Sequence, residues 1–306
     1  MKTILITGAT GLVGTQLVAS YQKENIKIHY LTTRKEKIKD EPLYKGFYWS
    51  VKNQQIDENC LKGVDTIIHL AGATIAKRWT ISYQKEILES RVNSCKLLVE
   101  TLEKTPHQVQ KIICASAIGI YPSSLSVLYR EDTPEISQDF LGTVTQQWEN
   151  AIDTFRQVIK QVYTIRVGIV LDKQQGALAK IIPSIQMGVG AIVGDGKQWQ
   201  SWIHIQDIVG IFRHITDTCL DTTIATFNAV APNPVTNQEL TQSIAHKINR
   251  TIRLRLPVKI LDVIFGKMRI LLTNSTNVSC QKIRSAGYCF QYPTLDQALD
   301  EILSED

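Results

Sequence analysis

At 306 residues, with 43% hydrophobic side chains and a formal net charge of +5, the chain is long and apolar enough to bury a full globular core. The charge is mild and no basic run is interleaved with aromatics, so nucleic acid is not implied as a partner. Six cysteines (Cys60, Cys95, Cys114, Cys219, Cys280 and Cys289) form no Cys-x-x-Cys pair and no metal-ligand spacing, which points to free thiols in a reducing compartment, the cytoplasm, and to no metal.

The first predicted element is a strand, Ile4 to Thr7, too short and too soon broken by glycine for a signal peptide. It opens onto Gly8, Gly11 and Gly14, and a helical pattern carried by Leu12, Val13, Leu17, Val18 and Tyr21 follows at once. A strand, a glycine turn and a helix start present free backbone N–H groups to a pyrophosphate. Gly8 permits the tight turn, Gly11 lets the backbone approach phosphate, and Gly14 lets the helix lie close on its strand. Thr10, Leu12 and Val13 join these glycines as cofactor-binding positions.

The second strand, Ile26–Thr32, leads into Thr33, Arg34 and Lys35, with Arg34 twenty residues after Gly14. An acidic residue here would hold the 2′-hydroxyl of NAD, and none is present. Arg34 can grip a phosphate through two hydrogen bonds, so NADP(H) is favoured over NAD(H).

Further strands are predicted at Phe47–Val51 and Thr66–Leu70, the latter ending at Ala71-Gly72-Ala73. A long helix follows from about Ser82 to Leu102, with Ile87, Val92, Leu97 and Leu98 on its inner side. Lys111–Ser116 is the fifth strand, Phe140–Ile159 a helix, and Val162–Val170 the sixth strand. Such alternation builds a parallel sheet covered by helices on both faces. After Gly176 the pattern loosens into turns at Gly188, Gly190, Gly194 and Gly196. It recovers as a strand at Ala225–Val230, a helix at Asn237–Asn249 and a terminal helical stretch. Lys259, Asp262, Lys267 and Arg269 break the apolar run Val258 to Leu272, so no membrane-spanning helix is expected. The expected division is a nucleotide-binding domain over 1–175, joined by the strand 225–230, with 176–224 and 231–306 as a substrate-side lobe.

Several motifs together carry a family resemblance. They include residues 7–14, His69-Leu-Ala-Gly-Ala-Thr-Ile75, Ser90-Arg-Val-Asn93, Ala115-Ser-Ala-Ile-Gly-Ile-Tyr121 and Trp148-Glu149. The most distinctive is the tryptophan-rich segment 194–207, followed by Asn228-Ala-Val-Ala-Pro-Asn-Pro-Val235 and Ala286-Gly-Tyr-Cys-Phe-Gln-Tyr-Pro293. The chain resembles an extended short-chain dehydrogenase/reductase of the atypical epimerase-family branch, which is similar to NAD-dependent epimerase/dehydratases. The resemblance implies an α/β fold with a Rossmann-type doubly wound parallel sheet and a smaller C-terminal lobe. It implies an NADP(H)-binding oxidoreductase or epimerase-like protein acting on a small carbonyl or sugar-like substrate, and leaves homodimerisation through two long helices open. By the same resemblance Leu70, Ala71 and Gly72 border the adenosine side of the cofactor, and Asn93 supports the central strands. Ser116 would lie beside the nicotinamide, with Gly168, Ile169 and Val170 near its carboxamide.

The catalytic dyad departs from the pattern. Ordinary members of the superfamily carry Tyr-x-x-x-Lys on the helix after the fifth strand, where the lysine lowers the tyrosine's pKa for proton exchange. With Trp148-Glu149 as anchor, those positions fall on Leu141 and Thr145. The spacing Tyr48 to Lys52 lies in the third-strand region, away from the carboxyl ends of the central strands. Tyr121 is the leading replacement, with Ser116 as a second donor, and a packing role for Tyr121 stands equally beside it. His204 reads as structural ahead of catalytic, with Asp207 as an N-cap. Arg78 is placed toward an anionic substrate, and Gln198 and Trp202 as pocket walls, with core packing as the alternative. Three readings follow: an enzyme; a non-catalytic NADP(H)-binding redox-sensing regulator, motivated by the missing dyad; and a structural protein that has kept the fold and lost cofactor affinity, against which the intact glycines and Arg34 argue.

Overall fold

Strand β1 (Thr3–Thr7) is buried along its whole length, as its unbroken run Thr-Ile-Leu-Ile-Thr requires of a strand covered on both faces. It pairs in parallel with β2 (Lys27–Thr32) on one side. Parallel pairing continues from β2 to β3 (Tyr44–Ser50). On its other side β1 pairs in parallel with β4 (Thr66–His69), which pairs in parallel with β5 (Lys111–Ala117). Two further strands, β6 (Gln161–Val167) and β7 (Ile224–Ala229), complete the order β7-β6-β5-β4-β1-β2-β3, with the short strand Asp40–Glu41 beyond β3. This is the Rossmann-like arrangement of a large, mostly parallel sheet.

Helices alternate with these strands: α1 (Leu12–Gln22), α2 (Ile81–Lys104), α3 (Phe140–Asp153) and α4 (Ile205–Asp217). Thr80 caps α2 by accepting a hydrogen bond from the Tyr83 N–H, satisfying a donor that the helix start leaves open. One apolar core joins Leu5, Ile67 and Ile112 of the strands to Leu98 of α2 and Ile152 of α3, with Phe155 just beyond.

The computed structural model describes residues 2–304, which fall into two units. One comprises the chain up to Ser116, Thr143–Ile165 and Val209–Phe227. The other comprises Ala117–Gly142, Arg166–Ile208 and the chain from Asn228 onward. The units are therefore interleaved: residues 117–142 and 166–175 group with the second, and 209–224 with the first. In the second unit Leu171, Trp202, Leu240, Ile244 and Leu299 share a separate core. Its helix α5 (Asn237–Lys247) starts with a full capping box between Thr236 and Glu239.

Two elements end earlier than periodicity suggests. The helix expected over 140–159 stops at Asp153 and gives way to a 3-10 turn, Thr154–Gln157. The strand expected over 162–170 breaks at Gly168, and Ile169–Leu171 pairs instead with Trp202–His204. The break follows from a close approach: the Ile169 N–H donates to the Ser201 carbonyl at 2.9 Å. A Cβ on Gly168 would lie 2.5 Å from that same oxygen. The cysteines are free, four buried and Cys219 and Cys289 exposed. Among the described residues no helix is long and apolar enough to cross a membrane.

Candidate functional site

The turn between β1 and α1 is set by its glycines. Gly8 adopts φ +70°, a left-handed conformation that glycine reaches without strain. Its carbonyl accepts the Gly11 N–H at 2.9 Å. A Cβ on Gly14 would sit 2.2 Å from that carbonyl oxygen, so only glycine lets α1 start this close to the turn. Gly11 is the N-cap with no side-chain cap, and the first turn carries no acidic residue. The N–H groups of Leu12, Val13 and Gly14 thus have no intrahelical acceptor and lie at the positive end of the helix dipole. Thr10 is exposed beside them. This donor set and its glycine cradle fit a pyrophosphate.

The end of β4 is locked to the end of β1 by a buried network. The Thr7 hydroxyl oxygen accepts the N–H groups of Leu70 and Ala71, both at 3.1 Å, and lies 2.8 Å from His69 Nδ1. With its lone pairs so used, Thr7 donates its proton to Nδ1, which leaves His69 Nε2 protonated toward Ser94 Oγ at 3.1 Å. Ser94 in turn donates to the Arg91 carbonyl at 2.9 Å. Burial pulls the His69 pKa down to about 4, so the imidazole in this chain of bonds is neutral near pH 7.

α2 supports the next residues of the same loop. The Ala73 N–H donates to Ser90 Oγ at 2.9 Å. Arg91 Nη1 donates to the Ala73 carbonyl at 3.0 Å and to the Ile87 carbonyl at 2.9 Å. The guanidinium lies 4.9 Å from the centre of the Trp148 ring, and burial lowers its pKa to about 10. A Cβ on Gly72 would come within 3.2 Å of Arg91 Cζ. Asn93 is half-buried on the same helix. Arg91 was missed by sequence reasoning, although it stands inside the Ser90–Asn93 motif: neither its backbone targets nor its aromatic partner can be read from one chain.

At the end of β2, Arg34 is exposed and its N–H donates to Thr32 Oγ1 at 3.2 Å. Among the described residues no carboxylate pairs with its guanidinium. At the end of β5, Ser116 is 3% exposed and donates from Oγ to Glu149 Oε1 of α3 at 2.6 Å. Arg78 is exposed in the loop that precedes α2.

The remaining sequence candidates lie in the second unit. Tyr121 is 1% exposed; its hydroxyl donates to Asn228 Oδ1 at 2.8 Å and accepts from Arg166 Nη1 at 2.9 Å. Burial raises its pKa, against the pull of Arg166. The phenol is committed on both sides, the arrangement of a packing tyrosine. Gln198 and Trp202 are 7% and 0% exposed, so the picture of pocket walls gives way to one of core residues. Gln198 Nε2 donates to the carbonyls of Val193 and Leu272, and Trp202 Nε1 to that of Asn233 at 3.0 Å. Ile169 and Val170 are half-buried beside the Gly168 break. His204 is fully buried and meets Glu301 at 2.8 Å; burial lowers its pKa while Glu301 opposes the shift. Asp207 is no N-cap: it sits inside α4 and accepts the Tyr288 hydroxyl and the N–H groups of Gln291 and Tyr292.

Comparison with known proteins gives concordant matches. Residues 4–140 match the NAD dependent epimerase/dehydratase family, and residues 256–302 match a domain of unknown function, DUF1731. The chain is similar to an epimerase family protein of Staphylococcus epidermidis, 33% identical over 304 residues and covering 99% of each chain. It is 31% identical over 306 residues to an epimerase family protein of Staphylococcus aureus, covering 100% of each. Among solved structures, the human epimerase family protein SDR39U1 with NADPH superposes with a TM-score of 0.83 at 26% identity, covering 98% of each chain. A UDP-glucuronic acid 4-epimerase from Bacillus cereus, at 16% identity and a TM-score of 0.76, shares the fold over 97% of this chain and 96% of its own.

Proposed function

The chain belongs to the epimerase family of the extended short-chain dehydrogenases/reductases, and from that membership we propose an NADP(H)-binding oxidoreductase or epimerase-like enzyme for a small carbonyl or sugar-like substrate. The observation that carries the choice of NADP(H) is Arg34 at the end of β2, exposed and free of any acidic partner among the described residues, where NAD binders place a carboxylate. The human relative solved with NADPH supports the same choice. The N–H groups of Leu12, Val13 and Gly14 hold the pyrophosphate, Arg34 the 2′-phosphate, and the Leu70–Gly72 backbone the adenosine side. When bound, the nicotinamide supplies hydride exchange with a substrate carbon. Ser116, at the carboxyl end of β5, is the polar side chain assigned to the reacting end. Tyr121 is left to packing, since Asn228 and Arg166 occupy its hydroxyl.

Native mass spectrometry before and after addition of NADPH tests this reading. One retained NADPH per chain is expected, held against an equal concentration of NADH. Retention of neither nucleotide overturns it. Leu141 and Thr145, in place of a tyrosine–lysine pair, favour a second reading, the redox-sensing regulator. Tight NADPH binding with no turnover of any carbonyl offered belongs to that reading.

A further inference from the structure

Exposed apolar side chains collect at one place in the second unit, helix α6 (Val258–Phe265) and the strand before it. Ile260, Val263 and Ile264 stand at i, i+3 and i+4, so they share one helical face. All three are exposed, Val263 to 82%. Leu261, 0% exposed, anchors the helix from its other side. The strand Leu254–Leu256 that leads into α6 pairs in parallel with Ala191–Val193, and Leu254 is exposed as well. The turn into that partner strand leaves Met187 and Val189 uncovered. Single exposed apolar residues are ordinary, but a helix face with apolar neighbours on a second segment marks a surface that meets something apolar.

Charge identifies what it meets. Six cations, Arg250, Arg253, Arg255, Lys259, Lys267 and Arg269, stand in this stretch against one carboxylate, Asp262, an excess equal to the net charge of the whole chain, +5. Asp262 is taken by Arg269, and Arg255 is held by the Asp195 carbonyl and the Gln238 side chain. Lys259 and Lys267 lie four residues to either side of Val263, exposed and with no side-chain partner among the described residues. A second copy docked through this face across a two-fold axis would set these cations against themselves. A negatively charged surface with an apolar layer beneath it answers both features. An eight-residue helix is about 12 Å long, far too short to cross a hydrocarbon layer of about 30 Å. Its geometry is that of a helix lying in the plane of the membrane interface.

We propose that α6 and the strand before it form a peripheral docking surface for an anionic phospholipid bilayer. Ile260, Val263 and Ile264 enter the boundary between headgroups and acyl chains, and Lys259 and Lys267 meet the lipid phosphates. The proposal is independent of the cofactor reading, since the glycine turn, Arg34, Leu70–Gly72 and Ser116 all belong to the first unit.

Co-sedimentation of the full chain with vesicles tests it, using phosphatidylglycerol mixed with phosphatidylcholine and, separately, phosphatidylcholine alone. Binding to the anionic vesicles, lost progressively as salt is raised, is expected, with little binding to phosphatidylcholine. Val263→Asp, at a position too exposed to disturb folding, is expected to lower partitioning at least tenfold with an unchanged denaturation midpoint. Lys259→Gln with Lys267→Gln is expected to lower it about thirtyfold. No binding to either vesicle overturns the proposal. Equal binding to both overturns the role of the cations, and full binding by Val263→Asp overturns the role of the apolar face. A dimer in solution that Val263→Asp turns into a monomer, with no vesicle binding, gives the face to a second copy instead.

Discussion

Gly14 and Tyr121 define what single residues contribute. A methyl group on Gly14 lands 2.2 Å from the Gly8 carbonyl oxygen, backbone against backbone, so no side-chain motion relieves it. Gly14→Ala is expected to cost roughly 2 kcal/mol or more of stability and to weaken NADPH binding at least tenfold, measured by urea denaturation and fluorescence titration. Tyr121→Phe removes a hydroxyl that serves Asn228 and Arg166 in a buried setting. It is expected to cost about 1–3 kcal/mol and to leave NADPH affinity within twofold of wild type; a lost affinity at unchanged stability reverses that assignment. The contrast explains what a single sequence discloses. The glycine spacing encodes a constraint between residues six apart, so it was legible. Ser116 meets Glu149 across 33 positions and Tyr121 meets Asn228 across 107, and nothing local announces either contact.

At the scale of elements, the ordering of strands and helices through β6 was legible because each strand of the parallel sheet is a short apolar run and each helix repeats at its own period. The break at Gly168 was hidden, since the oxygen that forces it belongs to Ser201. Asp207 misled for a similar reason: it precedes an apolar run like a cap, yet its carboxylate is consumed by the 288–292 segment. α5 shows the opposite case, a start signal written entirely in adjacent residues. Thr236 Oγ1 accepts the Glu239 N–H while the Glu239 carboxylate accepts the Thr236 N–H at 2.7 Å. Thr236→Ala is expected to lower stability by about 1 kcal/mol, seen as a reduced denaturation midpoint with an unchanged slope. No loss would mean that tertiary packing alone holds that helix start.

For the whole molecule, the buried imidazoles set the response to acid. His69 titrates near its ordinary 6.5 when unfolded and at about 4 when folded. Above pH 6.5 it is neutral in both states and costs nothing. Between 6.5 and 4 the unfolded chain binds a proton that the fold excludes, so stability falls as pH falls through that window. The difference, 6.5 − 4, corresponds to about 3 kcal/mol at full effect. His29 and His204 are shifted the same way by burial and add to the trend. Denaturation at pH 7.5 and at pH 4.5 is expected to show this loss, and His69→Gln to flatten it; equal stability at both pH values contradicts the neutral network joining Thr7, His69 and Ser94. The interleaving of the two units was not legible, because the chain leaves the first at Ser116 and re-enters it at Thr143, a grouping set by contacts between residues far apart in sequence.

The measurement that tests the account most directly is a pair of titrations, NADPH and NADH, on the wild type and on Arg34→Ala. A preference for NADPH in the wild type that falls about tenfold or more in the variant, through weaker NADPH binding alone, is the predicted result. An equal affinity for both nucleotides in the wild type, or a preference that survives the loss of Arg34, would contradict the assignment of NADP(H) to this site.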